Sequence, residues 1–371
     1  MSAWKEVRLD DLVVFRNGKS TKGINDGDFP IFGSNGIIGA SAKAMYENAI
    51  ILGRVGAYCG SVAYCTGKFW ATDNTIVVEP KAGIFDVRFA QYVLQHADLN
   101  RQATGSAQPL LTQTNLRGLL FNVPPLAEQC HIASILGAYD DLIEVNRRRV
   151  SVLEETARGL FEEWFVRFRF PGHEKHKIKD TPDGPLPEGW KLSSLGQLAD
   201  IQWGDTSTTK SSYTPDGYLA FSASGPDGFM DHYDFDRIGV VLSAIGANCG
   251  RTWLTRGQWS CIKNTMRFWS KENTISTEYL YLATLGSENW PKRGAAQLFV
   301  SLGDARKIAI IHPAGSISTS FEKIVSAQLQ FSANLSRQMI ALAAARDLLL
   351  PRLISGELSV AAAERELEAA A

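Results

Sequence analysis

The sequence predicts an α+β fold made by internal duplication: two small mixed α/β domains separated by two long antiparallel helices that form a coiled coil. Three observations carry this. Landmark residues return in the same order with a period of about 190 residues, each copy runs into a long heptad-patterned stretch, and a connector dense in proline and glycine lies between the copies. The expected order is a first domain over 1–124, a central helix over 125–170, a linker over 171–189, a second domain over 190–314, a C-terminal helix over 315–358 and a tail over 359–371.

The duplication is read directly. Trp4 and Lys5 with Leu9, Leu12 and Gly18 return as Trp190 and Lys191 with Leu195, Leu198 and Gly204. Gly56-Ala57-Tyr58-Cys59-Gly60 returns as Gly246-Ala247-Asn248-Cys249-Gly250, and in the same register Gly67 matches Gly257 and Asn74-Thr75 matches Asn264-Thr265. Gly105-Ser106-Ala107-Gln108 matches Gly294-Ala295-Ala296-Gln297, and each is followed by an apolar run into Pro124 or Pro313. Short β-rich runs such as Ala49 to Leu52, Thr75 to Val78 and Ile238 to Leu242 alternate with Gly/Ser/Asn loops, and helices are expected over Arg88 to His96 and Thr277 to Leu285.

In the first long stretch Ile132, Leu136, Tyr139, Ile143, Asn146, Val150, Leu153, Ala157, Leu160 and Trp164 alternate steps of four and three, the seam of a coiled coil. Roughly 40 residues at ~1.5 Å each make a rod of about 60 Å. The second seam is expected at Phe321, Ile324, Gln328, Phe331, Leu335, Leu342, Leu349 and Leu353, with Pro351 marking the end of the regular helix. The tail from Val360 to Ala371 is alanine-rich and has no assigned place.

Composition narrows the function. A length of 371 residues with 45% hydrophobic content supports several packed cores. Five cysteines without a C-x-x-C pair argue against a disulfide framework or zinc site and for a reducing, cytoplasmic setting. Neither a secretory leader nor an apolar run of about 18 residues is seen, so no membrane association is expected. The balance of 38 Lys+Arg against 39 Asp+Glu gives −1. A chain that grips phosphates alone usually carries a basic excess, so nucleic-acid binding has to rely on local patches or a partner's charge.

Catalytic motifs fail on inspection. Gly18-Lys19-Ser20 copies the end of a phosphate-binding loop, but Val13 stands where the motif needs glycine. His173-Glu174-Lys175-His176 lies in the connector with the wrong spacing for a zinc protease. The Asn/Asp-Pro-Pro-Tyr/Phe motif of amino-methyltransferases and a glycine-rich loop for S-adenosylmethionine are both missing. Catalytic, cofactor-binding and metal-ligating residues are therefore expected to number none.

The layout resembles the specificity subunits of type I restriction-modification systems over nearly the whole chain. The motifs that carry it, in order, are Pro124-Pro125-Leu126-Ala127-Glu128-Gln129, Arg158-Gly159-Leu160-Phe161 with Trp164-Phe165, Pro187-Glu188-Gly189-Trp190 with Leu195-Gly196, the two Gly-x-Ala-Gln loops, and Leu349-Leu350-Pro351-Arg352-Leu353-Ile354-Ser355-Gly356-Glu357. The first copy departs by opening at Trp4 without the Pro-Glu-Gly lead. The resemblance implies two target-recognition domains, each reading one half of a bipartite site in double-stranded DNA. It implies helices that set the spacing and dock two methyltransferase subunits, with restriction/translocase subunits joining them. S-adenosylmethionine is expected in the methyltransferase subunits and no cofactor on this chain. The alternative is a coiled-coil adaptor that joins subunits without binding DNA.

If the two domains read different half-sites, residues shared by both copies are scaffold and the code lies where they diverge. The candidate DNA-binding residues in the first copy are Arg16, Asn17, Lys19, Ser20, Thr21, Lys22, Ser34, Asn35 and Lys43. In the second they are Thr206, Ser207, Thr208, Lys210, Ser222 and Ser224. Side chains of these types donate to phosphates or base edges. Gln108 and Gln297 suit either a phosphate or an adenine edge. Trp203, Trp253 and Trp259 are either DNA-contacting or buried sheet aromatics, and Arg147-Arg148-Arg149 either faces DNA or a partner or is a solvated helix face.

Overall fold

The computed structural model describes residues 4–21, 25–105, 109–182, 184–272 and 275–370, and the chain divides into two compact units. Unit 1 comprises Met1–Asn146 with Arg337–Ala371, and unit 2 comprises Arg147–Ser336. The divisions thus fall inside the two long helices, Leu126–Phe161 and Gly315–Ile354, because each half of a helix packs into its own globular core.

Unit 1 holds a six-stranded sheet in the order Val13–Asn17, Thr75–Pro80, Tyr46–Gly53, Val62–Ala71, Asn25–Gly33, Gly36–Ser41. The run Ala49 to Leu52 is at most 2% exposed throughout, because alternate residues feed different cores. Ile50 and Leu52 join Phe89 and Leu94 of the covering helix Val87–His96, whereas Ala49 and Ile51 join Phe32 and Phe69 on the opposite face. Asp86 caps that helix by accepting the Phe89 N–H at 2.9 Å. Lys5–Arg8 pairs antiparallel with Leu120–Val123.

Unit 2 repeats this path with two of the strands broken. Its strands Ala199–Trp203, Thr265–Ser270, Gly239–Ser243 and Thr252–Thr255 form one sheet, and Gly225–Met230, Tyr218–Ser222, Gln258–Cys261 and Phe235–Asp236 form another. The strand that runs unbroken as Val62–Ala71 in unit 1 is here interrupted at Gly257, whose φ of +71° turns the backbone. Lys191–Ser194 pairs with Ala309–His312 just as the first copy's opening strand does.

The shared landmarks are used bond for bond. The Cys59 N–H donates to Gly56 O and the Cys249 N–H to Gly246 O, both at 3.0 Å, and all four glycines of the two motifs have positive φ. The Asn74 carbonyl accepts from Arg54 at 2.9 Å and the Asn264 carbonyl from Ala244 at 3.0 Å. Buried Thr75 donates its hydroxyl to Thr72 O at 2.7 Å, and buried Thr265 to Ile262 O at 2.5 Å.

Within each unit the two long helices run antiparallel. In unit 1 the Arg346 guanidinium binds Asp140 and the Asn146 amide reaches Gln338, while Ile132 and Leu136 share a core with Leu349 and Leu353. Asp140 also accepts the Tyr92 hydroxyl at 2.5 Å, and Arg88 holds Asp141 at 2.7 Å, so the sheet-covering helix is tied to the first long one. In unit 2 Ser332 donates to Glu154 at 3.1 Å, and Phe321 sits among Phe161, Trp164 and Phe165.

The first seam follows its expected positions, but the second needs correction. Ile324 and Phe331 are 43% and 50% exposed, and Val325 and Ser332 are buried in their place. From Phe321 the step of four precedes the step of three, so the seam passes through the smaller residues and leaves the larger hydrophobes outside. Pro351 does not end its helix, which continues to Ile354 and stops before Gly356 at φ +77°. The missing N–H of Pro351 costs only the donor to the Asp347 carbonyl, near the helix end.

The connector and the tail are also structured. Ile178–Thr181 pairs with Gly184–Pro187, and Phe170, Leu186 and Trp190 are buried, with the Phe170 and Trp190 rings stacked at 5.1 Å. The tail forms a helix, Val360–Ala370, that buries Ala363 in the core of unit 1. A Cβ placed on Gly356 lies 3.2 Å from the Trp4 ring, so the two ends of the chain meet.

Candidate nucleic-acid interface

In unit 1 the divergent loops cluster beside the strands that begin or end them. Arg16 and Asn17 close the strand Val13–Asn17, and Lys19 follows it with its N–H on Ala71 O and its carbonyl accepting the Trp70 indole N–H. Arg16 pairs with Glu79 at 3.1 Å, and the Asn17 side chain accepts from Gln113 at 2.9 Å, so both are partly engaged inside the protein. Lys19, Ser20, Asn35 and Lys43 are exposed. Thr21 lines an open depression of about 570 Å³ with Asp26, Gly27, Ile31, Ile38, Gly39 and Ala40. Ser34 belongs to the scaffold, because its hydroxyl donates to Asn74 O at 2.7 Å and its carbonyl accepts from Ser61. Lys22 and Gln108 lie outside the described residues.

In unit 2 two acidic residues organise the loops. Asp205 accepts the Ser207 N–H and hydroxyl at 2.8 and 2.6 Å and the Thr208 hydroxyl as well, and these bonds hold its carboxyl down to about 2. Asp227 accepts from Lys210 at 2.5 Å, Ser222 at 2.7 Å and Tyr213 at 2.9 Å. Ser224 receives Lys210 at 3.2 Å, and Thr206 is exposed. Ser222 is 3% exposed with its hydroxyl committed to Asp227, so it supports the loop from within and has no free face for a ligand. Gln297 is exposed.

The tryptophans resolve toward packing. Trp259 is 0% exposed with its indole N–H on Arg237 O at 2.8 Å, and Trp203 and Trp253 are half-buried against the cores. Arg147, Arg148 and Arg149 are all exposed on the first long helix.

Sequence reasoning missed Asp227, and it missed Ile37 and Ile38, which are 64% and 59% exposed on the hairpin between Asn25–Gly33 and Gly36–Ser41. A signal was present in the duplication: Gly36-Ile37-Ile38-Gly39 aligns with Gly225-Pro226-Asp227-Gly228. Among the described residues no group of His, Cys, Asp and Glu is placed to hold a metal ion, and no helix is long and apolar enough to cross a membrane.

Comparison with known proteins adds to this geometry. A family model described as the type I restriction modification DNA specificity domain matches residues 1–155. The chain is 25% identical over 281 residues to the type I restriction enzyme MjaIX specificity subunit of Methanocaldococcus jannaschii, covering 69% of this chain and 64% of that one. It is 37% identical over 115 residues to the EcoprrI specificity subunit of Escherichia coli, covering 31% and 28%. These alignments span less than two thirds of either relative. The crystal structure of a type I restriction-modification S subunit from M. genitalium shares the fold, with a TM-score of 0.63 at 18% identity over 95% of this chain and 96% of that one.

Proposed function

We propose, since the chain belongs to the specificity subunits of type I restriction-modification systems, that it is the non-catalytic DNA-recognition subunit of such a complex, each unit reading one half of a bipartite target. The observation that carries this reading is the duplicated scaffold. Glycines, threonines and backbone bonds are kept between the copies, while the polar loops they support differ, as expected of two heads with one architecture and two codes. The long helices pass from one unit into the other and act as the ruler between half-sites; two reading modules held on stiff helices suit half-sites about one DNA turn, ~34 Å, apart.

The same helices offer the docking face for two methyltransferase subunits, which bind S-adenosylmethionine and bring the chemistry, with restriction/translocase subunits joining them in the cytoplasm. Supporting this, Leu142, Val145, Ile340 and Leu348 on the unit 1 helices and Val152, Ile324 and Phe331 on those of unit 2 are large apolar residues at least 42% exposed. Such residues suit burial against a partner. Lys210 and Arg16 already carry carboxylate partners, so the phosphate grip comes largely from the complex.

The test is methylation mapping with the chain co-expressed with its methyltransferase subunits. Modification at a split target with a fixed spacer is expected. Modification independent of this chain, or at an unsplit site, overturns the reading.

A further inference from the structure

Each unit carries the same irregular hairpin. In unit 1 Ile31 pairs with Gly39 and Phe32 with Ile37, which leaves Ile38 as a bulge; in unit 2 Ala220 pairs with Gly228 and Phe221 with Pro226, which leaves Asp227 as the bulge. A β-bulge re-aims one side chain away from the regular pleat. The glycines at both ends of the motif are kept, Ile37 is replaced by Pro226, and the re-aimed side chain changes from isoleucine to aspartate.

The two side chains present different chemistry. Ile38 is 59% exposed beside Ile37 at 64%, an apolar tip on a surface of polar loops. Asp227 is held rigidly: the Tyr213 hydroxyl donates to Oδ1, and Lys210 and Ser222 donate to Oδ2. A carboxylate offers about four lone-pair directions, so one remains on Oδ1. The Lys210 ammonium has three protons and directs two at Asp227 and Ser224, so one remains there as well. One acceptor and one donor thus stand side by side, on side chains 24% and 56% exposed.

In the major groove a C·G pair presents the complement, a cytosine N4 amino donor beside guanine O6 and N7 acceptors, and a thymine presents its C5 methyl to an aliphatic group. We propose that the bulged hairpin residue is the specificity-determining residue of each unit, Ile38 meeting a thymine methyl in one half-site and Asp227 with Lys210 meeting a C·G pair in the other. This rests on the DNA-reading function proposed above.

The experiment uses the full chain with its methyltransferase subunits on a DNA library randomised through both half-sites, with methylated products sequenced. If the wild-type complex modifies no bipartite target, the functional reading fails and this inference with it. Given a wild-type target, the half-site of unit 1 must contain a required thymine and that of unit 2 a required C·G pair. Ile38→Asp is expected to reduce the thymine preference about tenfold at one position and to leave the other half-site unchanged. Asp227→Asn is expected to weaken the C·G preference by a similar factor in the opposite half-site alone. Should Ile38→Asp lower the melting temperature, Ile38→Ala at the same exposed position removes the methyl contact without adding charge. Wild-type preferences retained in folded variants, a base pair other than these at the affected position, or a change spread over both half-sites overturns the inference.

Discussion

At the scale of single residues, the two copies share the threonines that close buried turns and differ in the polar loops beside them. The hydroxyls of Thr75 and Thr265 close equivalent buried turns, so Thr75→Val and Thr265→Val should each cost about 0.5–1.5 kcal/mol by removing a hydroxyl hydrogen bond to a backbone carbonyl. Calorimetry of the two variants should show the loss. Asp205 permits a test of the loop beside it. The hydrogen bonds from Ser207 and Thr208 hold its carboxyl down to about 2, below the ordinary aspartate range, so the ionised form is favoured in the native loop. The stabilisation is present above the unfolded value and is lost as the pH falls through about 2. An NMR titration of the Asp205 carboxyl should find that low midpoint, and a midpoint in the ordinary aspartate range would show that the Ser207 and Thr208 bonds do not form in solution. At this scale the sequence was only partly legible. The shared glycines could be assigned to scaffold because repetition exposes them, whereas Asp227 and Ile38 look like ordinary loop residues until strand pairing shows a bulge at both.

At the scale of elements, the helices were legible in extent and less so in phase. Heptad spacing identifies the first seam from Ile132 to Trp164, but in the second it offers two stripes, and the greasier one, through Ile324 and Phe331, is not the one buried. Hydrophobicity ranks residues by what they prefer, while the partner helix sets which face is covered. Leu329→Ala, at a position 5% exposed, should therefore destabilise by about 2–5 kcal/mol. Phe331→Ala, at 50% exposure, should change stability by no more than about 0.5 kcal/mol and should weaken the association with methyltransferase subunits. Denaturant melts and sizing of the complex separate the two outcomes. If the helices are the ruler, two added heptads within Leu136 to Leu153, balanced in the partner helix, should lengthen the spacer between modified half-sites.

At the scale of the whole molecule, near-neutral charge argues that the isolated chain binds DNA weakly and that partners complete the clamp. Electrophoretic shifts of the chain alone at physiological salt should show no nanomolar, sequence-specific complex. The duplication also makes a shortened protein informative. A fragment ending after Phe170 keeps the amino-terminal part of unit 1 and an apolar seam that cannot stay in water. A second copy can cover it, since Leu160 and Trp164 stand where Leu349 and Leu353 stand one period later. The fragment should run as a dimer, and with methyltransferase subunits it should modify a palindrome built from the first half-site. A folded monomer would count against that symmetry. Here the sequence was most legible, because a period repeated over half the chain is a stronger signal than any one motif. The closure of unit 1 by the last residues was not legible, since nothing in an alanine-rich tail says which surface it will cover.

The meeting of Trp4 with Gly356 bears on the order in which the protein can be made. The sequence of unit 2 is complete at Ser336, whereas unit 1 also needs Arg337–Ala371, so the unit begun first is the one completed last. Until that stretch is made, the core that will receive Leu349, Leu353, Leu358 and Ala363 lacks those residues. A truncated chain ending at Ser336 should therefore show protease-resistant unit 2 and protease-sensitive unit 1.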